Sequence, residues 1–210
     1  MFCDIYNLLY VYYGNLEWWP SETDDETVIG CILTQNTSWK NVEKALEKMK
    51  DNHVFTLNEI AITDQEQLKE LIKSSGFYNQ KSRYLLTVSR EITEKYGNLH
   101  DMKNKDRKEI EGFIMGLDGV GNETMESIML YALDYPVFVV DAYTLRFFKR
   151  YYGKEFSRKE IRDYAEEEFP EIEQLKNFHG MIVNLGKDFC KKTPVCKSCF
   201  LREDCLYGKR

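Results

Sequence analysis

Leu117-Asp118-Gly119-Val120-Gly121 is the stretch on which the reading of this chain turns. It lies between a helical segment ending near Met115 and another running through Ile128 to Leu133. Two glycines in a tight turn leave main-chain N–H groups free and let a phosphate approach the backbone closely. The N-terminus of the following helix adds a dipole that favours an anion. The same residues also suit a plain turn between packed helices. The turn alone leaves both readings open.

Outward from the turn, almost every segment carries helical periodicity. Val42, Ala45, Leu46 and Met49 follow the capping-type cluster Asn36-Thr37-Ser38. Thr63-Asp64-Gln65-Glu66 has capping-box form ahead of Leu68, Leu71 and Ile72, and Ser74-Ser75-Gly76 ends that helix. Leu85, Leu86, Val88 and Ile92 continue the pattern to a stop at Gly97. Ser157-Arg158-Lys159-Glu160 is a second capping box, leading into Ile161 and Tyr164. Val137-Phe138-Val139-Val140 is the one strand-like run; since one strand makes no sheet, it reads as a buried extended connection. The expected class is all-α.

With 210 residues, 43% hydrophobic and 30% charged, the composition is that of a soluble globular protein with one sizeable core or two small lobes. No apolar run is long enough to span a bilayer, and Met1-Phe2-Cys3-Asp4 starts no secretory signal. The expectation is a cytoplasmic protein with no membrane partner, whose thiols stay reduced. A net charge of −6 argues mildly against a nucleic-acid partner. Its distribution argues otherwise. Residues 184–210 carry Lys187, Lys191, Lys192, Lys197, Arg202, Lys209 and Arg210 against Asp188, Glu203 and Asp204. Phosphate binding follows the local basic surface and not the sum.

Two further motifs carry chemistry. Cys190-x5-Cys196-x2-Cys199-x5-Cys205 places four thiols within sixteen residues. A zinc ribbon uses two Cys-x2-Cys knuckles, whereas wider arms around one such pair suit a cubic 4Fe–4S cluster, with zinc as the alternative. Cys3 and Cys31 stand apart and read as small buried apolar residues. In Val139-Val140-Asp141-Ala142-Tyr143-Thr144, a carboxylate follows an apolar run at the edge of a core. Asp141 reads as a helix N-cap. A carboxylate in a cleft also stabilises an oxocarbenium-like sugar and orients or deprotonates water. The two roles are compatible.

The order of hairpin, Val-Asp-x-x-Thr-x-Arg and four cysteines resembles the endonuclease III superfamily of helix-hairpin-helix DNA glycosylases, over nearly the whole chain. The resemblance implies two helical lobes flanking a DNA-binding cleft. One would span residues 22–133; the other would combine residues 1–21 with 134–210 and carry Asp141 and the cluster loop. Asp141 would be the catalytic residue. Gln35, in Ile32-Leu33-Thr34-Gln35-Asn36-Thr37, would fill the space left by a flipped nucleotide. Phe77, in Gly76-Phe77-Tyr78-Asn79, would enter the duplex as a wedge. Gly119 and Gly121 would meet phosphate, as would Lys191 and Lys192, and Cys190, Cys196, Cys199 and Cys205 would hold a structural 4Fe–4S cluster.

Two departures stand out. The family's usual spacing has six residues between the first two cysteines, and this chain has five. Members that also cleave the strand carry a lysine after the hairpin whose amine attacks the sugar. Here that position is Glu123, which cannot form an imine.

Trp18-Trp19-Pro20, Ser75-Gly76-Phe77-Tyr78-Asn79-Gln80-Lys81 and Phe178-His179-Gly180 narrow the likeness to the endonuclease III-related 3-methyladenine DNA glycosylases. That likeness implies a base pocket of Trp18, Trp19, Trp39 and Glu123, where π-faces and a carboxylate favour a purine made cationic by N3-alkylation. His179 reads as a structural hydrogen-bonding residue near a helix end. The resulting expectation is a monomeric, monofunctional glycosylase that acts on alkylated purines in double-stranded DNA and lacks lyase activity. The alternatives are a mismatch (thymine or adenine) or oxidised-base glycosylase of the same fold, and a non-catalytic DNA-binding or damage-sensing module.

Overall fold

In the computed structural model, which describes residues 2–209, the chain is all-helical with no strand among those residues. Chain order begins with α1 (Phe2–Tyr13), α2 (Asp24–Leu33), α3 (Trp39–Asp51), α4 (Leu57–Ile62), α5 (Gln65–Leu71) and α6 (Tyr78–Tyr96). It continues with α7 (Leu99–Lys103), α8 (Arg107–Met115), α9 (Asn122–Ser127), α10 (Ala142–Tyr152), α11 (Arg158–Glu168) and α12 (Ile172–Asp188). These helices form two units: Met1–Pro20 with Pro136–Arg210, and Ser21–Tyr135. Among the described residues no helix is long and apolar enough to cross a membrane.

The Ser21–Tyr135 unit contains α2 to α9. Val42, Ala45, Leu46 and Met49 form the buried face of α3, and Leu85, Leu86, Val88 and Ile92 that of α6, as their spacing requires. Caps set the boundaries. Gly97, at φ 79°, terminates α6. The Thr63 capping box does not form. Asp64 caps α5 instead, accepting from the N–H groups of Glu66 and Gln67, because Thr63 closes α4 and its hydroxyl donates to Glu59 O. A capping box that the sequence reading passed over, Thr56 with Glu59, opens α4. Beyond Ser127 the chain widens into a buried π-helical turn, Ile128–Ala132.

The other unit packs α1, α10, α11 and α12 around an aromatic core. The Phe2 ring lies 4.6 Å from Phe148, and Phe138 stacks on Phe178 at 5.3 Å. Val137-Phe138-Val139-Val140 is the expected buried extended connection, each residue fully excluded from solvent. The Ser157–Glu160 capping box forms at the start of α11. Cys31 is buried, but Cys3 is exposed. Cys3 is therefore no core residue; in α1 the apolar positions Phe2, Ile5 and Leu9 take the inner face.

Candidate active site and nucleic-acid interface

Within the Ser21–Tyr135 unit the turn is a hairpin joining α8 to α9. Gly119 has φ +85°, and a Cβ there would fall 2.1 Å from Tyr84 Cγ. Only glycine serves at this position, for backbone and contact reasons alike. Gly121 is the N-cap of α9, and a Cβ built on it would meet nothing within 4 Å. This side of the hairpin is open. Glu123 is exposed in the first turn of α9. Burial, and then the Glu123 charge, push the Cys31 thiol well above its ordinary value.

Gln35 is tied to the hairpin: its Nε2 donates to Gly119 O at 3.0 Å and to Thr124 Oγ1 at 3.1 Å. Trp39, half-buried, opens α3. Ser74 Oγ donates to Asn41 O, linking the first turn of α3 to the segment that carries Phe77. Phe77 itself is 64% exposed and held at φ 47°, ψ 30°. A bulky non-glycine residue in the left-handed region, with its ring in solvent, is a strained feature of the kind that concentrates at functional sites.

Lys81, in the first turn of α6, is a buried cation that the sequence reading did not single out. It is 2% exposed, and its Nζ donates to Leu33 O at 2.8 Å and Ser75 O at 2.7 Å. A signal existed, since Lys81 continues the stripe of Leu85, Val88 and Ile92 at spacings of four, three and four.

In the other unit Asp141 is 8% exposed and caps α10, where Oδ1 accepts from Thr144 N at 2.7 Å. His179 Nε2 lies 3.7 Å from Oδ2, an electrostatic contact rather than a hydrogen bond. Burial by itself disfavours the charge. The His179 imidazole, with the Thr144 main chain and hydroxyl, outweighs it and holds the carboxyl below the usual carboxylate range. His179 lies in the middle of α12, not near an end, and beside the carboxylate it was not connected with. No sequence signal joins residues 38 positions apart on different helices.

The same helix positions Trp18. A Cβ on Gly180 would lie 2.7 Å from Trp18 Cγ, the ring stands edge-on to His179, and Lys187 Nζ is 4.8 Å from its centroid. Asn177 anchors the preceding loop, accepting from Leu16 N and donating to Gly14 O. Trp19 is half-buried beside it. Trp18, His179 and Asp141 thus share one site, while Trp39, Phe77, Gln35 and Glu123 belong to the other unit.

Cys190, Cys196, Cys199 and Cys205 are all free thiols lining one cavity of about 30 Å³ together with Phe147, Leu185 and Leu201. Burial pushes the Cys199 and Cys205 thiols up, and the neighbouring cysteines add to the shift. Four thiolates gathered here call for a cationic centre. A single zinc draws its sulfurs to about 2.3 Å. Among the described residues no three such side chains converge on one ion. Four cysteines around one cavity are the donor set that an iron–sulfur cluster requires. Arg146 Nε donates to Cys190 O, and Arg150 donates to Cys190 Sγ and to the carbonyls of Lys191 and Lys192, bracing that exposed basic pair.

Comparison with known proteins bears on the family and the fold. Residues 29–171 match the family model described as the HhH-GPD superfamily base excision DNA repair protein. The chain is 43% identical to a protein of Methanocaldococcus jannaschii named as a DNA repair glycosylase, over 98% of this chain and 96% of that one. It is 31% identical to endonuclease III of Thermotoga maritima, over 90% and 86%. Among solved structures, Helicobacter pylori 3-methyladenine DNA glycosylase bound to 1,N6-ethenoadenine matches with a TM-score of 0.77 at 27% identity, covering 88% of this chain and 96% of that one.

Proposed function

The chain belongs to the HhH-GPD superfamily of base excision DNA repair proteins and is a DNA glycosylase, and from that premise we propose that it hydrolyses the N-glycosidic bond of alkylated purines of the 3-methyladenine type in double-stranded DNA. The observation that carries this reading is the buried Asp141 sharing its site with His179 and Trp18. N3-alkylation leaves the purine cationic, which suits an aromatic face and a nearby anion. The likeness to the Helicobacter pylori 3-methyladenine enzyme supports the same substrate class.

Asp141 meets the sugar as an anion, since its carboxyl titrates below the ordinary range. In that state it stabilises positive charge developing on the sugar as the base departs. It also orients the attacking water, with Oδ1 committed to Thr144 and Oδ2 facing His179. The charged base is already a good leaving group, so electrostatic help suffices. Phe77 and Gln35 assist extrusion, which costs a few kcal/mol of unstacking. Gly119, Gly121, Lys191 and Lys192 hold phosphates, and Trp18 and Trp19 in one unit and Trp39 and Glu123 in the other are the residues assigned to the damaged base. Glu123 cannot form an imine, so the strand stays intact. Cys190, Cys196, Cys199 and Cys205 would hold a 4Fe–4S cluster, whose part would be to support the basic loop structurally.

The test is incubation with methylated duplex DNA, with chromatography of the released base and gels run with and without alkali. Free 3-methyladenine, with nicks only after alkali, is expected. Release of thymine from a mismatched duplex in its place, or nicking without alkali, would overturn the substrate or the monofunctional assignment respectively.

A further inference from the structure

We infer that Lys81 is a positioning residue that clamps the Gln35 and Phe77 loops together, so that both enter the duplex in register. This rests on the proposed roles of Gln35 and Phe77 at the DNA.

The geometry is nearly symmetrical about the ammonium. Leu33 O, one acceptor, belongs to the last residue of α2 and lies two residues before Gln35. Ser75 O, the other, closes the 3₁₀ turn Lys73–Ser75 and lies two residues before Phe77. Carbonyls at the ends of helical segments have no partner within the helix and carry the negative end of its dipole. One cation satisfies both. Gln35 in turn donates to Gly119 O. Hydrogen bonds, joined by the short main chain from Leu33 to Gln35, therefore connect the Phe77 segment through Lys81 to the hairpin.

The arrangement is costly. Burying an ammonium disfavours its charge, and burial draws Lys81 down to about 8. A methionine of similar length would fill this position on the α6 stripe without that penalty. Because both acceptors are main-chain carbonyls, the donor fixes loop position whatever side chains the loops carry. That is what two groups entering the DNA a fixed distance apart require, particularly when Phe77 is already held in a left-handed conformation next to Gly76 at φ 68°.

Base release from duplex and from single-stranded alkylated DNA tests this with Lys81→Met, Phe77→Ala and the double variant. Groups in one network couple, so Phe77→Ala should cost about tenfold in the parent and little more than about twofold once Lys81 is Met. Duplex release should fall well beyond single-strand release. Independent, multiplying effects, or an unchanged duplex-to-single-strand ratio in a folded variant, overturn the clamp. A second measurement needs no variant. Amide exchange at 34–37 and 74–77 in the full-length parent should proceed at one shared rate, and two separate rates overturn the inference even if Lys81→Met fails to fold. No base release by the parent, or no effect of Phe77→Ala there, would instead count against the proposed function, and the exchange measurement would still decide the clamp.

Discussion

Replacing Asp141 by Asn separates the two roles assigned to one side chain. Asparagine caps a helix about as well as aspartate, whereas alanine at an N-cap costs about 1 kcal/mol. The bond from Thr144 N to Oδ1 should survive in Asp141→Asn and vanish in Asp141→Ala. For a chain of this size 1 kcal/mol corresponds to about 2–4 °C in Tm, so the alanine variant should melt that far below the asparagine variant. Chemistry should respond the other way. A carboxylate about 4 Å from a unit positive charge, at an effective dielectric near 20, contributes about 4 kcal/mol. At about 1.36 kcal/mol per power of ten, losing it slows base release by roughly 10³. Single-turnover release of the damaged base, run beside thermal melting, checks both numbers. An asparagine variant within about tenfold of the parent rate would refute the charge argument. Equal melting of the two variants would refute the capping argument.

Other perturbations follow from the same geometry. Gly180→Ala would ordinarily stabilise a helix by up to about 1 kcal/mol. Here the added Cβ sits 2.7 Å from Trp18 Cγ, so a loss of about 1–3 kcal/mol is expected in denaturant unfolding, together with slower release from a displaced Trp18. Cys199→Ser should abolish iron and labile sulfide in the purified protein and weaken duplex binding through the Lys191–Lys192 loop; full iron content would show that Cys199 is not a ligand. Glu168 accepts from Phe2 N and Cys3 N. Burial works against its charge, but these donors prevail and lower the carboxyl to about 2. A lowered carboxylate adds stability above its unfolded value that is lost as pH falls through the folded one. The Tm gap between parent and Glu168→Gln should thus be constant from neutral pH to about 5 and close between roughly 4.5 and 2; a gap independent of pH would remove Glu168 as the anchor of α1.

The helices were legible because their cues are local. Apolar spacing marks the inner faces of α3 and α6, Gly97 marks an end, and Ser157 with Glu160 marks a beginning. The hairpin glycines, the four cysteines and the capping position of Asp141 likewise announce themselves within a few residues. The all-α class and the family follow from their order along the chain. Even so, neighbouring hydroxyls misled: the cap of α5 fell to Asp64 because Thr63 was already engaged with Glu59 O. Tertiary structure alone brought His179 to 3.7 Å from Asp141, set Trp18 against the bare backbone of Gly180, and gave buried Lys81 two carbonyls to hold. Periodicity tells which face of a helix leaves water. It carries no information on which distant residue that face will meet, because that is settled by how whole helices pack.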